Sequence, residues 1–319
     1  MRMTMGVLAG AASEAPYLAI PSVYWTDGDA GADQGCYYST NGTSYAAITP
    51  TLPSNGIGDN ATDGSGLWVA CPPSNASANE IYVSDNPLVG WDTYSLSFQP
   101  TGVCYDGSNF VICGAGGNIA YTSNPRGSWT SWSSGVATFL SAIGFGGGNY
   151  AVVGDNGYLR VSTSRGGTLT NRFSGTSVGV ACVKYDPVGN LWVAGGSGGN
   201  LWYQSGGAAA GTNWNRTSSG SSQINFIDMT GSMAVYVASG GFMGYTATPS
   251  SPGSWTTSSP FGGSANMWCV KYSPLLGLWI ALGVNVLRTA TTPSGSWTSR
   301  MPGGTSGAQN ARKGLIVTG

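Results

Sequence analysis

Histidine is absent from this 319-residue sequence, and charged side chains make up only 8% of it. Without histidine, the chain cannot build a Ser-His-Asp triad, a histidine general base or a histidine-ligated zinc site. The formal net charge is −1 and no basic run occurs, so we expect no nucleic-acid binding. No apolar stretch reaches the roughly 20 residues that span a bilayer, so we expect no membrane insertion.

Helical patterns are also missing, because no segment places apolar residues at i, i+3, i+4 and i+7 between helix caps. Glycine, by contrast, occurs 52 times, together with 12 Trp and 16 Tyr. Disordered glycine-rich chains are poor in aromatic residues. We therefore assign the glycines to the many turns of a folded, all-β protein.

Six cysteines are present, and none of them shows the C-x-x-C spacing of a metal or redox site. Cys104 and Cys113 flank a predicted hairpin, where they would lie on one face but diagonally, which is poor geometry for a disulfide. We predict buried free thiols.

A unit of two short strands and two tight turns recurs along the chain, and its clearest copy is residues 110–129. The run Phe110–Cys113 leads into a glycine turn, Ile119–Tyr121 follows, and a polar turn ends at Trp129. A half-sheet of this size cannot bury both of its faces, so it must stack on copies of itself.

An aromatic residue or a leucine closes the polar turn of each copy, at intervals of 38 to 46 residues. Four-stranded propeller blades run to about 40–50 residues. We therefore predict an all-β, seven-bladed β-propeller of four-stranded blades, as a single domain over residues 1–319. Residues 1–16 are expected to form an N-terminal arm or a first strand, with a secretory signal as the alternative. The markers are Tyr45, Trp91, Trp129, Leu169, Trp214, Trp255 and Trp297.

Two further features support the repeat. Val183-Lys-Tyr-Asp-Pro187 and Val270-Lys-Tyr-Ser-Pro274 differ at one residue and lie 87 residues apart, which corresponds to two blades. The tail Gly314–Gly319 looks like the glycine-ending strand of another copy, with nothing after it. We predict that this strand pairs with the N-terminal blade and closes the ring, which removes the open sheet edges.

Two sets of residues are candidates for ligand binding. Asp27, Asp29 and Asp33 place three carboxylates within seven residues, a spacing that suits Ca²⁺. The alternative for this segment is a solvated loop, since the glutamate at position 12 of an EF-hand is missing. No other cofactor is expected.

The tryptophans that recur at the marker position are predicted to pack between sheets. Trp25, Trp132 and Trp268 lie off that register, and they are candidate contacts for a ligand because aromatic faces stack on sugar rings.

The polar turns resemble the Asp-box, Ser-x-Asp-x-Gly-x-x-Trp, of sialidase-like (BNR) propellers. Ser39–Tyr45 and Ser123–Trp129 keep the Ser, Gly and aromatic ends, and Ser84 is followed by Asp85. The resemblance covers nearly the whole chain and implies a propeller, in which the Asp-box is a folding element far from the active site. In its glycine-rich, charge-poor style the chain is similar to divergent propellers of tailed-bacteriophage virions.

This resemblance implies a non-enzymatic component of a bacteriophage tail, fibre or head surface, with loops that contact a host-surface glycan or protein. Its partners would be other virion proteins and further copies of itself. Its location would be the extracellular particle, after assembly in the host cytoplasm. Two alternatives stay open. One is a glycosidase or lyase that uses two of the 13 acidic residues in a central funnel. The other is a secreted bacterial lectin or assembly factor.

Overall fold

The computed structural model describes residues 17–19, 36–39, 41–48, 57–74, 76–175, 177–205, 213–220, 222–231, 233–249, 254–263, 265–274, 276–284, 286–300 and 315–316. Within them the regular elements are 28 β-strands and three single-turn 3-10 helices, so the all-β prediction is confirmed. None of the described helices is long and apolar enough to cross a membrane.

The strands fall into antiparallel groups of four. The chain begins with β1 (Tyr17–Ala19), β2 (Cys36–Ser39) and β3 (Ala46–Ile48). Six blades, each of four consecutive strands, follow in chain order. Blade 1 has β4 (Asp59–Thr62), β5 (Trp68–Cys71), β6 (Glu80–Ser84) and β7 (Asp92–Ser95). Blade 2 has β8 (Pro100–Tyr105), β9 (Phe110–Gly114), β10 (Asn118–Thr122) and β11 (Thr130–Ser133). Blade 3 has β12 (Leu140–Gly146), β13 (Asn149–Gly154), β14 (Tyr158–Ser162) and β15 (Thr170–Asn171).

The second half of the chain repeats this order. Blade 4 has β16 (Val180–Asp186), β17 (Leu191–Gly196), β18 (Asn200–Ser205) and β19 (Asn215–Ser218). Blade 5 has β20 (Ile224–Met229), β21 (Ala234–Ala238), β22 (Met243–Thr246) and β23 (Thr256–Ser258). Blade 6 has β24 (Met267–Ser273), β25 (Leu278–Gly283), β26 (Val286–Ala290) and β27 (Thr298–Ser299), and β28 (Leu315–Ile316) comes last.

The prediction of seven blades is wrong, because the structure has six blades of four consecutive strands. The unit that contains Tyr45 supplies only β1, β2 and β3, so it cannot form a blade of this kind by itself. These three strands share a separate four-stranded sheet with β28, through the pairs Leu18–Ile316 and Ala19–Leu315. The predicted pairing of the C-terminal strand with the N-terminal unit is thus present. It lies in an antiparallel sheet that is built from both ends of the described chain.

Burial follows strand position within a blade. Every residue of β9 and β21 is buried, because a second strand is covered by a neighbouring blade on each face. The fourth strands are mostly exposed, and all three residues of β23 are. Apolar runs that end near glycine in the sequence, such as Phe110–Cys113, correspond to these second strands.

The marker residues pack between blades, as predicted. Trp214 of blade 4 packs against Leu159 and Val161 of blade 3, and Trp297 of blade 6 packs against Val235 and Phe261 of blade 5. Leu169, the non-aromatic marker, occupies the same kind of position and is buried.

A hydroxyl at the last residue of the third strand organises the polar turns. The Ser84 Oγ accepts a hydrogen bond from the Asn86 N–H (3.0 Å), and the Thr122 Oγ1 accepts one from the Asn124 N–H (3.1 Å). Both side chains are buried, whereas Ser123 is exposed. Thr122 is therefore the counterpart of Ser84, and the turn position assigned to Ser123 from the sequence was wrong by one residue.

Candidate functional site

The first strands of the six blades surround a central channel. Consecutive first strands contact one another in the order β4, β8, β12, β16, β20 and β24. Two adjoining cavities lie among them, and residues from these strands line both. Because rigid sheets hold these strands in place, their side chains have fixed positions relative to one another.

The first cavity, which we call the mouth pocket, has a volume of about 220 Å³. It lies where the first strands begin, and none of the described residues that line it carries a charge. Two aromatic rings, Trp268 and Phe139, face amide and hydroxyl groups across it. The described residues that line it are Gly58, Pro72, Pro73, Ser74, Thr101, Phe139, Ser141, Ala181, Gln223, Asn225 and Trp268.

A repeated β-bulge builds the mouth pocket. In blades 2 to 6 the pairing between first and second strands shifts by one residue at the second position of the first strand, which leaves that residue without a cross-strand partner. Bulges of this kind turn a side chain away from the regular pleat. The five bulged residues, Thr101, Ser141, Ala181, Asn225 and Trp268, all line the pocket.

Two of the bulged side chains also tie neighbouring blades together. The Thr101 Oγ1 donates to the Leu140 carbonyl of blade 3 (2.5 Å), and the Asn225 Nδ2 donates to the Met267 carbonyl of blade 6 (2.7 Å). Their hydrogen bonds fix the spacing of the blades around the pocket. Trp268 presents its partly exposed indole at the same level.

The second cavity, which we call the inner cavity, has a volume of about 260 Å³ and adjoins the mouth pocket at Ala181. Its lining includes Asp59, Lys184 and Lys271, so charge is concentrated here in an otherwise charge-poor chain. The Lys184 Nζ lies 3.5 Å from the Asp228 Oδ1.

Local interactions move the lysine pKa values in opposite directions. The charge of Asp228 raises the pKa of Lys184, whose side chain stays 42% exposed. Burial lowers the pKa of Lys271, and the positive charge of Lys184 acts in the same direction. The inner cavity therefore holds one paired ammonium and one that is partly desolvated beside a like charge.

The candidate residues from the sequence lie in different places. Trp268 lines the mouth pocket. Trp132 is 4% exposed, packs edge-on against Tyr150 with ring centroids 5.3 Å apart, and donates from Nε1 to the Gly167 carbonyl, so we leave it out of the candidate site. Trp25, Asp27, Asp29 and Asp33 lie outside the described residues, and the calcium prediction there stays a prediction. Among the residues described, no group of three or more acidic or cysteine side chains could hold a metal ion.

Cys71, Cys104 and Cys269 are free, as predicted, although Cys104 is half-buried rather than buried. Cys113 and Cys182 are buried. Cys104 pairs with Val111 across the hairpin, and Cys113 pairs with Gly102, so the two sulfurs are two residues out of register. Burial raises the pKa of Cys269 to about 12. These thiols pack as small apolar groups.

The sequence analysis did not predict that Lys184, Asp228 and Lys271 lie close to one another. The two lysines belong to the repeated Val-Lys-Tyr runs that were used only to count blades. Their equivalent positions were a usable signal, because the first strands of a propeller line its centre.

Comparison with known proteins supports the fold. No protein-family model matches the chain, and no curated protein matches it. Among solved structures it is similar to one described as "YCF48 bound to D1 peptide", with a TM-score of 0.62 and 14% identity, over 92% of this chain and 88% of that one. The chain is a β-propeller repeat protein. At this identity the likeness shows the fold alone, and the Asp-box relationship and the bacteriophage origin stay predictions.

Proposed function

We propose that this propeller is a non-enzymatic binding module that holds an extended segment of another protein in its mouth pocket. The observation that carries the proposal is the lining of the pocket, which combines two aromatic rings with amides and hydroxyls and contains no charged side chain among the described residues. Apolar surface with a few polar groups is typical of ligand pockets. The solved structure similar to this chain contains a propeller with a bound peptide, which supports a peptide as the ligand.

The carboxylates of the channel support a role without catalysis. Asp59 accepts hydrogen bonds from the backbone N–H groups of Asn60 (2.9 Å) and Val103 (3.2 Å). Asp228 is engaged by Lys184 and by the Tyr272 N–H (2.8 Å). A glycosidase needs two carboxyl groups that are free to act on the substrate, one as a general acid and the other as a nucleophile or as the base that activates water. Here both carboxylates serve in contacts within the protein.

We propose further that the module belongs to a tailed-bacteriophage particle, assembled in the host cytoplasm and carried outside the cell. Its partners there would be other virion proteins and further copies of the chain, and the bound segment would come from a host-surface protein. The support is compositional, namely the low share of charged residues and the high glycine content. Mass spectrometry of purified particles tests this part. Absence of the chain from them would contradict the location and leave the binding role standing.

A displayed library of random 12-residue peptides tests the binding role directly. We expect selected peptides to bind the wild-type protein and to lose at least about fivefold in affinity to Trp268→Ala, because stacking on an aromatic ring contributes about 1–3 kcal/mol. The matched control is Val188→Ala, which removes a side chain that is 80% exposed and does not line either cavity. Failure to select any peptide, or equal binding by Trp268→Ala, would contradict the proposal.

A host-surface glycan is the second candidate ligand, and the pairing of Trp268 with amide groups favours it, since sugars are bound by aromatic faces and polar side chains. A bacterial glycan array separates the two candidates. Binding to the array that depends on Trp268, with no peptide selected, would establish the glycan instead.

A further inference from the structure

Two of the three lysines in the chain line the inner cavity. Lysine occurs at positions 184, 271 and 313, and position 313 lies outside the described residues. Lys184 and Lys271 meet in a cavity whose other walls are mainly aliphatic and aromatic. Placing an ammonium group there costs solvation free energy unless a partner compensates it. The position of both lysines therefore raises the question of what each one binds.

Lys184, Asp228 and Lys271 occupy equivalent positions on three consecutive first strands. Lys184 pairs with Val193, Asp228 with Val235 and Lys271 with Ile280, and each of these partners lies three residues before the end of its second strand. Around the channel the order is thus ammonium, carboxylate, ammonium. We call these three residues the charged cluster.

The only carboxylate of the charged cluster is already engaged. The Asp228 Oδ1 faces the Lys184 Nζ at 3.5 Å, and the Asp228 Oδ2 accepts from the Tyr272 N–H at 2.8 Å. Within the described part of the chain, no carboxylate oxygen lies within 4.0 Å of the Lys271 Nζ. Asp59, the other carboxylate of the inner cavity, accepts hydrogen bonds from backbone N–H groups, and its charge acts on Lys271 only from beyond 4.0 Å. Lys271 is therefore the ammonium group of the charged cluster that has no carboxylate in direct contact.

We propose that Lys271 binds a carboxylate group of the peptide segment that occupies the mouth pocket. Lys271 follows Trp268 by three residues on β24, which corresponds to roughly 10 Å along a strand. An extended peptide covers this distance with about three residues. Ala181 lines both cavities, so a ligand that stacks on Trp268 and continues past Ala181 would place an acidic group beside Lys271.

The charge of Lys271 makes this contact selective. A charge-assisted hydrogen bond is about twice as strong as a neutral one. A neutral amide in the same place would leave Lys271 uncompensated. The carboxylate can come from an aspartate or glutamate side chain or from the C-terminus of the segment, and both present the same two oxygens.

Nuclear magnetic resonance of the lysine side chains tests the proposal, because three lysines give few signals. The full chain would be produced with ¹³C at the lysine ε-carbons, and the signals assigned with Lys184→Arg, Lys271→Met and Lys313→Arg. Three probes would be titrated: acetyl-Gly-Gly-Glu-Gly-Gly-amide, acetyl-pentaglycine with a free C-terminus, and acetyl-Gly-Gly-Gln-Gly-Gly-amide. We expect the Lys271 signal to shift saturably with one or both carboxylate probes and not with the glutamine peptide. The first two probes distinguish a side-chain carboxylate from a terminal one.

Two variants give opposite expectations for the probe that binds. Lys271→Met keeps most of the side-chain volume and should weaken binding about tenfold, the effect of losing one charge-assisted hydrogen bond. Isothermal titration calorimetry measures this affinity, because the variant has no Lys271 signal. Asp228→Asn removes the competing negative charge and should strengthen binding several-fold. Equal shifts with the glutamine peptide, or stronger binding by Lys271→Met, would overturn the proposal even if one variant failed to fold.

The proposal rests on the peptide-binding function, and the two can fail separately. If displayed peptides bind through Trp268 but show no preference for acidic residues, only the role of Lys271 fails. If the carboxylate probes shift Lys271 while no displayed peptide is selected, the lysine site stands and the proposed function fails.

Discussion

The clearest test of how the blades are held together is the replacement of Asp106 by asparagine. Asp106 is the first residue of the turn between β8 and β9 of blade 2, and its side chain is 2% exposed. Its Oδ2 accepts hydrogen bonds from the Tyr150 hydroxyl of blade 3 (2.6 Å) and from the Arg165 guanidinium (2.6 Å). Its Oδ1 accepts from the backbone N–H groups of Ser108 (3.0 Å) and Asn109 (2.7 Å). The Ser108 hydroxyl also donates to Oδ1 (3.0 Å), so one carboxylate joins two blades through five donors.

Asparagine offers one acceptor oxygen in place of two, and its amide nitrogen would face a donor. Arg165 cannot accept a hydrogen bond, so at least one strong contact is lost. Hydrogen bonds to charged groups contribute about 1.5–3 kcal/mol, and the 31% exposure of Arg165 moderates the loss through solvent screening. We expect Asp106→Asn to lower the free energy of unfolding by about 2–3 kcal/mol at pH 7.

This loss converts into a modest shift of the melting temperature. An unfolding entropy of about 2.1 cal/mol/K per residue gives about 0.7 kcal/mol/K for 319 residues. The expected fall is therefore about 3–5 °C, which differential scanning calorimetry resolves. The matched control is Asp85→Asn, because Asp85 pairs with Arg126 at 2.8 Å but is 77% exposed. Exposed pairs contribute about 0–1 kcal/mol, so the control should shift the midpoint by no more than about 1–2 °C.

The effect should also depend on pH. Burial by itself would raise the pKa of Asp106, but the hydrogen bonds from Tyr150, Asn109, Ser108 and Arg165 outweigh it and hold the pKa below its usual value. A lowered native pKa means that the stabilisation is present above the unfolded-state pKa, about 3.9, and is lost as the pH falls through the native value. Wild type and Asp106→Asn should therefore converge once the pH has fallen below the native pKa of Asp106. A difference that persists there, or an Asp85→Asn effect of equal size, would refute the reasoning.

Four further predictions follow from local contacts. Gly117→Ala should lower the free energy of unfolding, measured by chemical denaturation, by well over 1 kcal/mol, because φ is +73° and a Cβ would lie 1.9 Å from the Val136 carbonyl oxygen. The control is Gly107→Ala, at φ +90° with nothing within 4 Å, which should lose only the roughly 1 kcal/mol of the unfavourable backbone conformation. Thr122→Val should destabilise by about 1 kcal/mol and Ser123→Ala by less than about 0.5, whereas the reverse order would restore the turn assignment made from the sequence. Burial raises the thiol pKa of Cys71 and Cys269, so peptide mapping after iodoacetamide treatment should find both unmodified in the native protein and modified in urea. The Lys271 ε-carbon should titrate at lower pH than the Lys184 ε-carbon, because burial and the charge of Lys184 lower the pKa of Lys271 more than Cys269, Asp59 and Asp228 raise it. The same order in Asp228→Asn would agree with burial as the main cause. A reversed order in the wild type would contradict the prediction.

The parts of the fold that depend on local pattern could be predicted from the sequence. Runs such as Phe110–Cys113 are apolar because a second strand is buried on both faces, and glycine marks the turn that follows. The spacing of Trp214, Trp255 and Trp297 followed from their common place between blades. These features repeat, and repetition is visible in a single sequence.

Features that depend on register across strands could not be predicted in this way. The repeated bulge decides which residue of each first strand faces the mouth pocket, and nothing in the composition of the strands marks the shift between Met267 and Cys269. Trp132 looked available because it lies off the marker register, yet Tyr150 of the next blade covers it. The number of complete blades depended on pairing between opposite parts of the chain, which has no local signal.

Four polar side chains around the channel also hold blades together, and this limits which substitutions can report on binding. Asp59 and Asp228 each accept a backbone N–H from the next blade, from Val103 and Tyr272 respectively. Thr101 and Asn225 make the corresponding contacts at the mouth. Removing any of these four side chains would change the spacing of the blades, so a loss of binding could not be assigned to lost ligand contacts. Asp228→Asn keeps an acceptor oxygen for the Tyr272 N–H, and it is used above only as a test for stronger binding. Lys271 is the informative exception, because within the described part of the chain it bonds to no neighbouring blade. A change at Lys271 should alter ligand affinity while the melting temperature stays within about 1 °C, and that separation is what distinguishes a binding residue from another tie between blades.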